Sequence, residues 1–230
     1  MAYVDGPMAR HPTHQALILD FDGTIIDTEW PGYAAFQRLH DELGLPPIPL
    51  VRWQSTIGLA DDAVPIDFFA ELMSQLPDAD PAEITKKRRR YRDEYVGAEQ
   101  VRPGIIEWVN HARDLGLPVG VASSSSPGWV VGHLERLSLL HLFDHIEGTS
   151  AGQVGKPAPD VYLRCAAALG VDPRRAVAVE DSEHGVTAAT AAGMSCVAVP
   201  NRLTAGSTFA DATLLALSLA DVDPAAWLCA

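Results

Sequence analysis

The chain has 230 residues, 47% of them hydrophobic, and its 17 basic and 30 acidic side chains give a formal net charge of −13. A chain of this length buries about 70% of the surface its unfolded form exposes, so a core forms without disulfide or metal staples. The acidic excess repels nucleic acid and anionic lipid at long range, which excludes both as main partners and points to a small ligand.

Met1–Gln15 lacks the apolar centre of a signal peptide, and no stretch approaches the roughly 20 apolar residues that span a bilayer, so a cytoplasmic protein is expected. Cys165, Cys196 and Cys229 are odd in number and more than 30 residues apart, which indicates neither a disulfide framework nor a zinc motif. A monomer or weak dimer is expected.

Along the chain, short apolar runs alternate with helical periodicity. Ala16–Leu19 is the first strand. Residues 29–97 then break the pattern with helices alone: Tyr33–Leu43, Ala63–Leu76, and a segment opened by Asp80-Pro81 with Glu83 following as in a capping box. After the Pro103-Gly104 hinge the alternation resumes as helix Ile105–Leu115, strand Pro118–Ala122, helix Trp129–Leu137, helix Asp160–Leu169, strand Ala176–Val179, helix Gly185–Ala192 and strand Cys196–Val199. Unalternating apolar strands suit burial on both faces, so the expected fold is α/β, a doubly wound parallel sheet with an inserted all-helical unit.

The chemistry sits at strand ends. Asp20-Phe21-Asp22-Gly23-Thr24 closes the first strand, where such sheets hold their ligands. A calcium loop does not fit, because its glycine is at the wrong position and Pro31 stands where the bidentate Glu belongs. An Asp-Gly hairpin turn remains an alternative for this segment alone. Ser123 ends the next strand, Lys156 precedes a helix, and Glu180-Asp181-Ser182 ends a further strand. Singly these read as a flexible loop, a surface charge and a helix cap. Together they supply a nucleophile, a proton carrier, a hard-cation site and positive charge for phosphate oxygens.

These four segments resemble the motifs of the haloacid dehalogenase superfamily, and the insertion resembles its type 1 helical cap. Asp20–Glu29, Lys156–Asp160 and Val179–Gly185 are similar to the branch holding β-phosphoglucomutase and sugar-phosphate phosphatases. The resemblance implies a Rossmann-like core of residues 1–28 and 98–230, with a cap of residues 29–97. It makes Asp20 the nucleophile that forms an aspartyl-phosphate and Asp22 the general acid and base. Because dehalogenases proper lack the second Asp, phosphoryl chemistry is implied.

Ser123, Ser124, Lys156 and the backbone at Gly23 and Thr24 would hold the phosphate. Magnesium would be held by Asp20, Asp181 and the Asp22 carbonyl, with Glu180 either a further ligand or a partner behind them. Trp53, Ile57, Gly58 and Leu59 would select the substrate. The activity implied is magnesium-dependent hydrolysis of a small phosphorylated metabolite. The alternatives are a sugar-phosphate mutase and a non-catalytic binding protein. The mutase is disfavoured because the positions of its cap His, Lys and Arg hold Gly32, Ile57 and Asp61.

The run Lys86–Arg90 with Arg92 reads first as a solvated helix face, since consecutive charges point all round a helix. The other reading is steering of an anion into the cleft. Trp30 and Tyr33 line the pocket or pack beneath it, with core the preferred place for Tyr33.

Overall fold

A computed structural model describes residues 14–58 and 65–228. Six parallel strands, β1 (Ala16–Leu19), β2 (Val119–Ala122), β3 (His145–Glu147), β4 (Ala176–Glu180), β5 (Ser195–Ala198) and β6 (Leu214–Leu215), form one sheet in the order β3-β2-β1-β4-β5-β6. The chain winds outward from β1 to β3, crosses back to β4, and winds outward the other way. β1 and β4 are therefore neighbours at the topological switch point, where ligands of open α/β sheets bind beyond the carboxyl ends of the strands.

Alternation along the buried strands sorts side chains by size. Leu17 and Leu19 of β1, Val119 and Val121 of β2 and Val177 and Val179 of β4 face one layer, with Trp108 and Val109 of α5 (Ile105–Asp114) and Val130 and Leu134 of α6 (Pro127–Arg136). Ala16, Ile18, Ala122, Ala176, Ala178 and Ala198 face the other, against α7 (Asp160–Ala168) and α8 (Glu183–Ala191). The small residues let α7 and α8 approach the sheet closely, which brings Tyr162 and Cys165 into it, both fully buried.

Among the described residues between β1 and α5, the regular elements are helices: α1 (Glu29–Glu42), α2 (Leu50–Gln54), α3 (Phe68–Ser74) and α4 (Pro81–Ala98). They carry an apolar cluster of their own, with Phe36, Leu39, Ile48, Phe68, Leu72 and Ile84 at its centre. Trp53 stacks on Phe68 with centroids 5.0 Å apart. Tyr33 packs against this cluster and donates its hydroxyl to the Ile48 carbonyl at 3.0 Å, which is the core role expected of it. Trp30 lies under the guanidinium of Arg202, 4.4 Å from its ring centroid. Asp80 caps α4 by accepting from the Ala82 amide at 2.8 Å, with Pro81 in the first turn.

The expectation and the structure differ at short, polar or ambiguous pieces. β3 and β6 lie at the sheet edges: β3 (His-Ile-Glu) has no run of apolar residues to mark it, and β6 is only two residues at the start of the apolar stretch Leu214–Leu217, too short to read as a strand. The α2 helix is a five-residue turn of helix with no buried side chain. The helix expected at Ala63–Leu76 is α3, which begins at Phe68 after its cap Asp67, whose side chain accepts from the Ala70 amide at 2.8 Å, so the expected start is several residues too early; residues 63 and 64 lie outside the described set. Cys165 and Cys196 are buried free thiols, and Cys229 is outside the described residues. Among the described residues no helix is long and apolar enough to cross a membrane.

Candidate active site

The turn after β1 aims two carboxylates differently. Asp20 continues the strand and is almost fully buried, with its amide donating to the Val179 carbonyl at 3.0 Å. Asp22 lies one pleat further out, at the edge of a cleft of about 1100 Å³ that Asp20, Ser123, Ser124 and Lys156 also line. Gly23 makes the turn possible. It has φ +89°, and a Cβ there would lie 2.3 Å from Oδ2 of Asp181. Its amide donates to the Ile26 carbonyl at 2.7 Å, so Gly23 contributes shape and leaves no free N–H for a phosphate. Thr24 likewise turns inward, and its hydroxyl donates to Oδ1 of Asp181 at 2.9 Å.

Lys156 is the cation at the centre of the buried cluster. Its ammonium donates to Oδ1 of Asp20 and, at 2.6 Å, to Oε1 of Glu180. Tyr162 donates its hydroxyl to the same Glu180 oxygen at 2.6 Å, while the other oxygen accepts from the Asp181 amide at 3.2 Å. Both oxygens of Glu180 are thus engaged, and it stands behind Lys156, outside the cleft lining. Ser182 does cap α8, accepting from the Gly185 amide at 3.1 Å, so the cap reading of this segment holds for its serine alone.

Oxygens of Asp20, Glu180 and Asp181 lie within 4.8 Å of one another. Three carboxylates against one ammonium leave an excess of negative charge in a buried place. Burial, then Glu180, pushes the Asp20 carboxyl well above its ordinary range, although Lys156 pulls the other way. Burial and Glu180 do the same to Asp181, opposed by Arg102. Burial works against the charge of Lys156, but Asp20 and Glu180 outweigh it and hold the ammonium above its usual value. A hard cation placed between Asp20 and Asp181 would relieve this repulsion, and oxygen donors are what magnesium takes.

Several supporting residues were not anticipated from the sequence. Asn201 donates to Oδ2 of Asp181 at 2.7 Å. Arg102, just before the Pro103-Gly104 hinge, donates to the carbonyls of Gly23, Val199 (3.1 Å) and Pro200 (2.9 Å), tying the first turn to the segment after β5. Asp22 accepts from Thr28 Oγ1 at 2.7 Å, from Trp129 Nε1 at 2.8 Å and from Ser123 Oγ at 3.1 Å. Thr28, at the threshold of α1, and Trp129, in the first turn of α6, gave no signal beyond their place at helix starts.

Of the residues expected to face the substrate from the helical insertion, Trp53 and Gly58 line the cleft. Ile57 is buried and does not line it, and Leu59 and Asp61 lie outside the described residues. Gly58 has φ +80° and rests against the sheet domain, its carbonyl accepting from Ser124 Oγ at 3.3 Å; a Cβ would lie 2.4 Å from Ser182 Oγ. The basic run divides. Lys87 pairs with Glu42 on the outside, whereas Arg88, Arg89 and Arg92 line the same cleft as Asp20 and Asp22. The solvated-face reading therefore fails for Arg88 and Arg92, which pack on Phe36 and Trp129, and holds in part for Arg89, which is exposed, because the 3.6-residue period brings one side of α4 over the strand ends.

A doubly wound sheet with paired aspartates after β1, a buried lysine and a further acid across the switch point has the composition of a phosphoryl-transfer site. The comparisons agree. The haloacid dehalogenase-like hydrolase family matches residues 17–199, and the chain belongs to that family. It is 40% identical over 197 residues to the Bacillus subtilis (strain 168) protein named "Putative phosphatase YhcW", covering 86% of this chain and 88% of that one. With hexitol phosphatase B of Escherichia coli (strain K12) the identity is 34% over 188 residues, 80% and 83% of the two chains. Among solved structures, CbbY from Rhodobacter sphaeroides in complex with phosphate superposes with a TM-score of 0.68 at 26% identity, covering 91% of this chain and 96% of that one. The protein is a phosphatase of this family.

Proposed function

We propose that the protein hydrolyses a small phosphorylated carbohydrate, a sugar or sugar-alcohol monoester, by a magnesium-dependent double displacement through Asp20. The observation that carries this reading is the placement of Asp20, Asp22 and Lys156 on one cleft at the switch point, with Asp181 behind the first turn. Residues 29–97 act as the cap over a core of residues 1–28 and 98–230, a division supported by the separate apolar cluster of the insertion.

Asp20 attacks phosphorus, and the leaving oxygen departs with a proton from Asp22. Asp22 then takes a proton from the water that cleaves the aspartyl-phosphate. Lys156 draws the phosphate oxygens in and keeps the nucleophile aligned, while Glu180 and Tyr162 hold the lysine. Ser123 and Ser124 line the cleft, and each would turn its hydroxyl from its present acceptor, Asp22 or the Gly58 carbonyl, to a phosphate oxygen. Asp20, Asp181 and the Asp22 carbonyl would hold Mg²⁺, which supplies charge neutralisation of the phosphate and the attacking carboxylate. Glu180 is support for Lys156 in this reading, since its oxygens already have partners. Arg88, Arg89 and Arg92 give the cap side of the cleft a cationic wall that attracts anionic esters.

Hexitol phosphatase B and the fructose-1-phosphate phosphatase YqaB of Escherichia coli, the latter 30% identical over 191 residues, support a carbohydrate ester as substrate. A mutase needs a cap group that grips and protonates the sugar, and Gly32, which lines the cleft at that place, offers none. The test is a screen of phosphorylated sugars, sugar alcohols, phosphoglycolate and nucleoside monophosphates for released phosphate, with magnesium and with chelator. Release that needs magnesium is expected. Release unchanged in chelator would refute the metal, and conversion of β-glucose 1-phosphate to glucose 6-phosphate without free phosphate would refute hydrolysis.

A further inference from the structure

Trp129 is engaged on both its polar edge and its ring. The indole N–H donates to Oδ1 of Asp22 at 2.8 Å, the same oxygen that accepts from Thr28 Oγ1 at 2.7 Å. Oδ2 receives the rotatable hydroxyl of Ser123, at the longer distance of 3.1 Å. The Trp129 ring is itself held. The Arg92 guanidinium sits 4.5 Å from its centroid, and His133 meets it edge-on with centroids 4.2 Å apart. An indole so clamped has one direction in which to point its N–H.

We propose that Trp129 is a positioning residue for the proton transfers of Asp22: with Thr28 it fixes Oδ1, so that Oδ2 is the oxygen that hands the proton to the leaving group and takes one from water. The inference rests on the assignment of Asp22 as acid and base. Two donors on Oδ1 stop rotation about the Cβ–Cγ bond, which would otherwise exchange the two oxygens. Ser123 follows either protonation state of Oδ2, since a hydroxyl both donates and accepts. Trp129→Phe keeps an aromatic face for Arg92 but removes the N–H together with the pyrrole part of the indole, so the orienting bond is separated from packing by the choice of leaving group.

A misplaced general acid harms poor leaving groups more than good ones, which separates positioning from packing. The assay measures kcat/KM, which reports the first phosphoryl transfer, for 4-nitrophenyl phosphate and for the alkyl monoester turned over fastest in the screen above. Wild type, Trp129→Phe, Asp22→Asn and the double variant are compared. Trp129→Phe is expected to lose about tenfold or more with the alkyl ester and less than about threefold with the nitrophenyl ester, since proton donation contributes about 10²–10⁴-fold and orientation a part of that. In the Asp22→Asn background the same substitution should change neither value. Equal losses with both esters, or a loss that persists without Asp22, would make Trp129 a packing residue and overturn the inference. If Asp22→Asn itself shows no dependence on the leaving group, the assignment of Asp22 falls, and the inference with it.

Discussion

Replacing Lys156 by Met leaves two buried carboxylates facing each other without a cation. The Lys156 side chain is 2% exposed, Glu180 0% and Asp20 7%, so solvent screens little of the interaction that is lost. Removing one partner of a buried pair costs about 3–5 kcal/mol, because the remaining charge stays desolvated. Met fills nearly the same volume, which keeps a cavity out of the measurement.

The loss must depend on pH, with a definite sign. Asp20 already lies well above the ordinary carboxylate range, and Lys156 is the influence that pulls it down; its removal raises Asp20 further. A folded-state carboxyl raised above its unfolded value binds more protons in the native state. The native state then loses stability as pH rises from about 4, the unfolded value, through the folded one. The deficit of Lys156→Met is therefore larger at pH 7.5 than at pH 5. Urea melts in chelator at the two pH values measure it. A deficit under about 1 kcal/mol at pH 7.5, or one equal at both, would refute the reasoning.

The wild type should follow the same rule in chelator, since Asp20 and Asp181 are both raised: its melting temperature falls as pH rises from about 5 toward 8. Magnesium at about 100 times its dissociation constant should return roughly 2.7 kcal/mol at pH 7.5, read as a shift in melting temperature, and no shift would argue against the site. Asp20→Asn should abolish turnover with the melting temperature kept or raised, because an amide relieves the crowding of carboxylates but cannot attack phosphorus; measurable hydrolysis would contradict its role. Gly58→Ala should raise KM severalfold or more, since a Cβ at φ +80° would lie 2.4 Å from Ser182 Oγ and push this loop off the sheet domain; unchanged kinetics would show that the loop does not close there.

Strands β1, β2, β4 and β5 were legible because burial on both faces demands apolar residues in succession. The expected boundaries fall within a residue of those observed. The finer sorting, Val and Leu to one face and Ala to the other, was also written in Ala176-Val177-Ala178-Val179 but needs the helices to give it meaning. Edge strands β3 and β6 were not legible, since three and two residues are too short to show a period, even where, as in β6, they are apolar. At the candidate site, Asp20, Asp22, Ser123 and Asp181 were readable from their places at strand ends and Lys156 from its place before a helix, while Tyr162, Asn201, Arg102 and Trp129 were not. Each of those lies outside any motif, 18 to 107 positions from the acid or carbonyl it serves, and only the fold brings the pair together. The arginines of α4 failed for a related reason: sequence shows a continuous run, and only docking over the cleft divides it into an inner and an outer side.

The central claim is that phosphate passes through a covalent bond to Asp20. Rapid quenching of 4-nitrophenyl phosphate turnover, followed by borohydride reduction and peptide mass spectrometry, tests it directly, because hydride converts an aspartyl-phosphate to homoserine and leaves a free carboxylate intact. Homoserine at position 20, formed only when ester and magnesium are both present, is the predicted result. Rapid turnover with an unmodified Asp20, or with homoserine at another aspartate, would contradict the account.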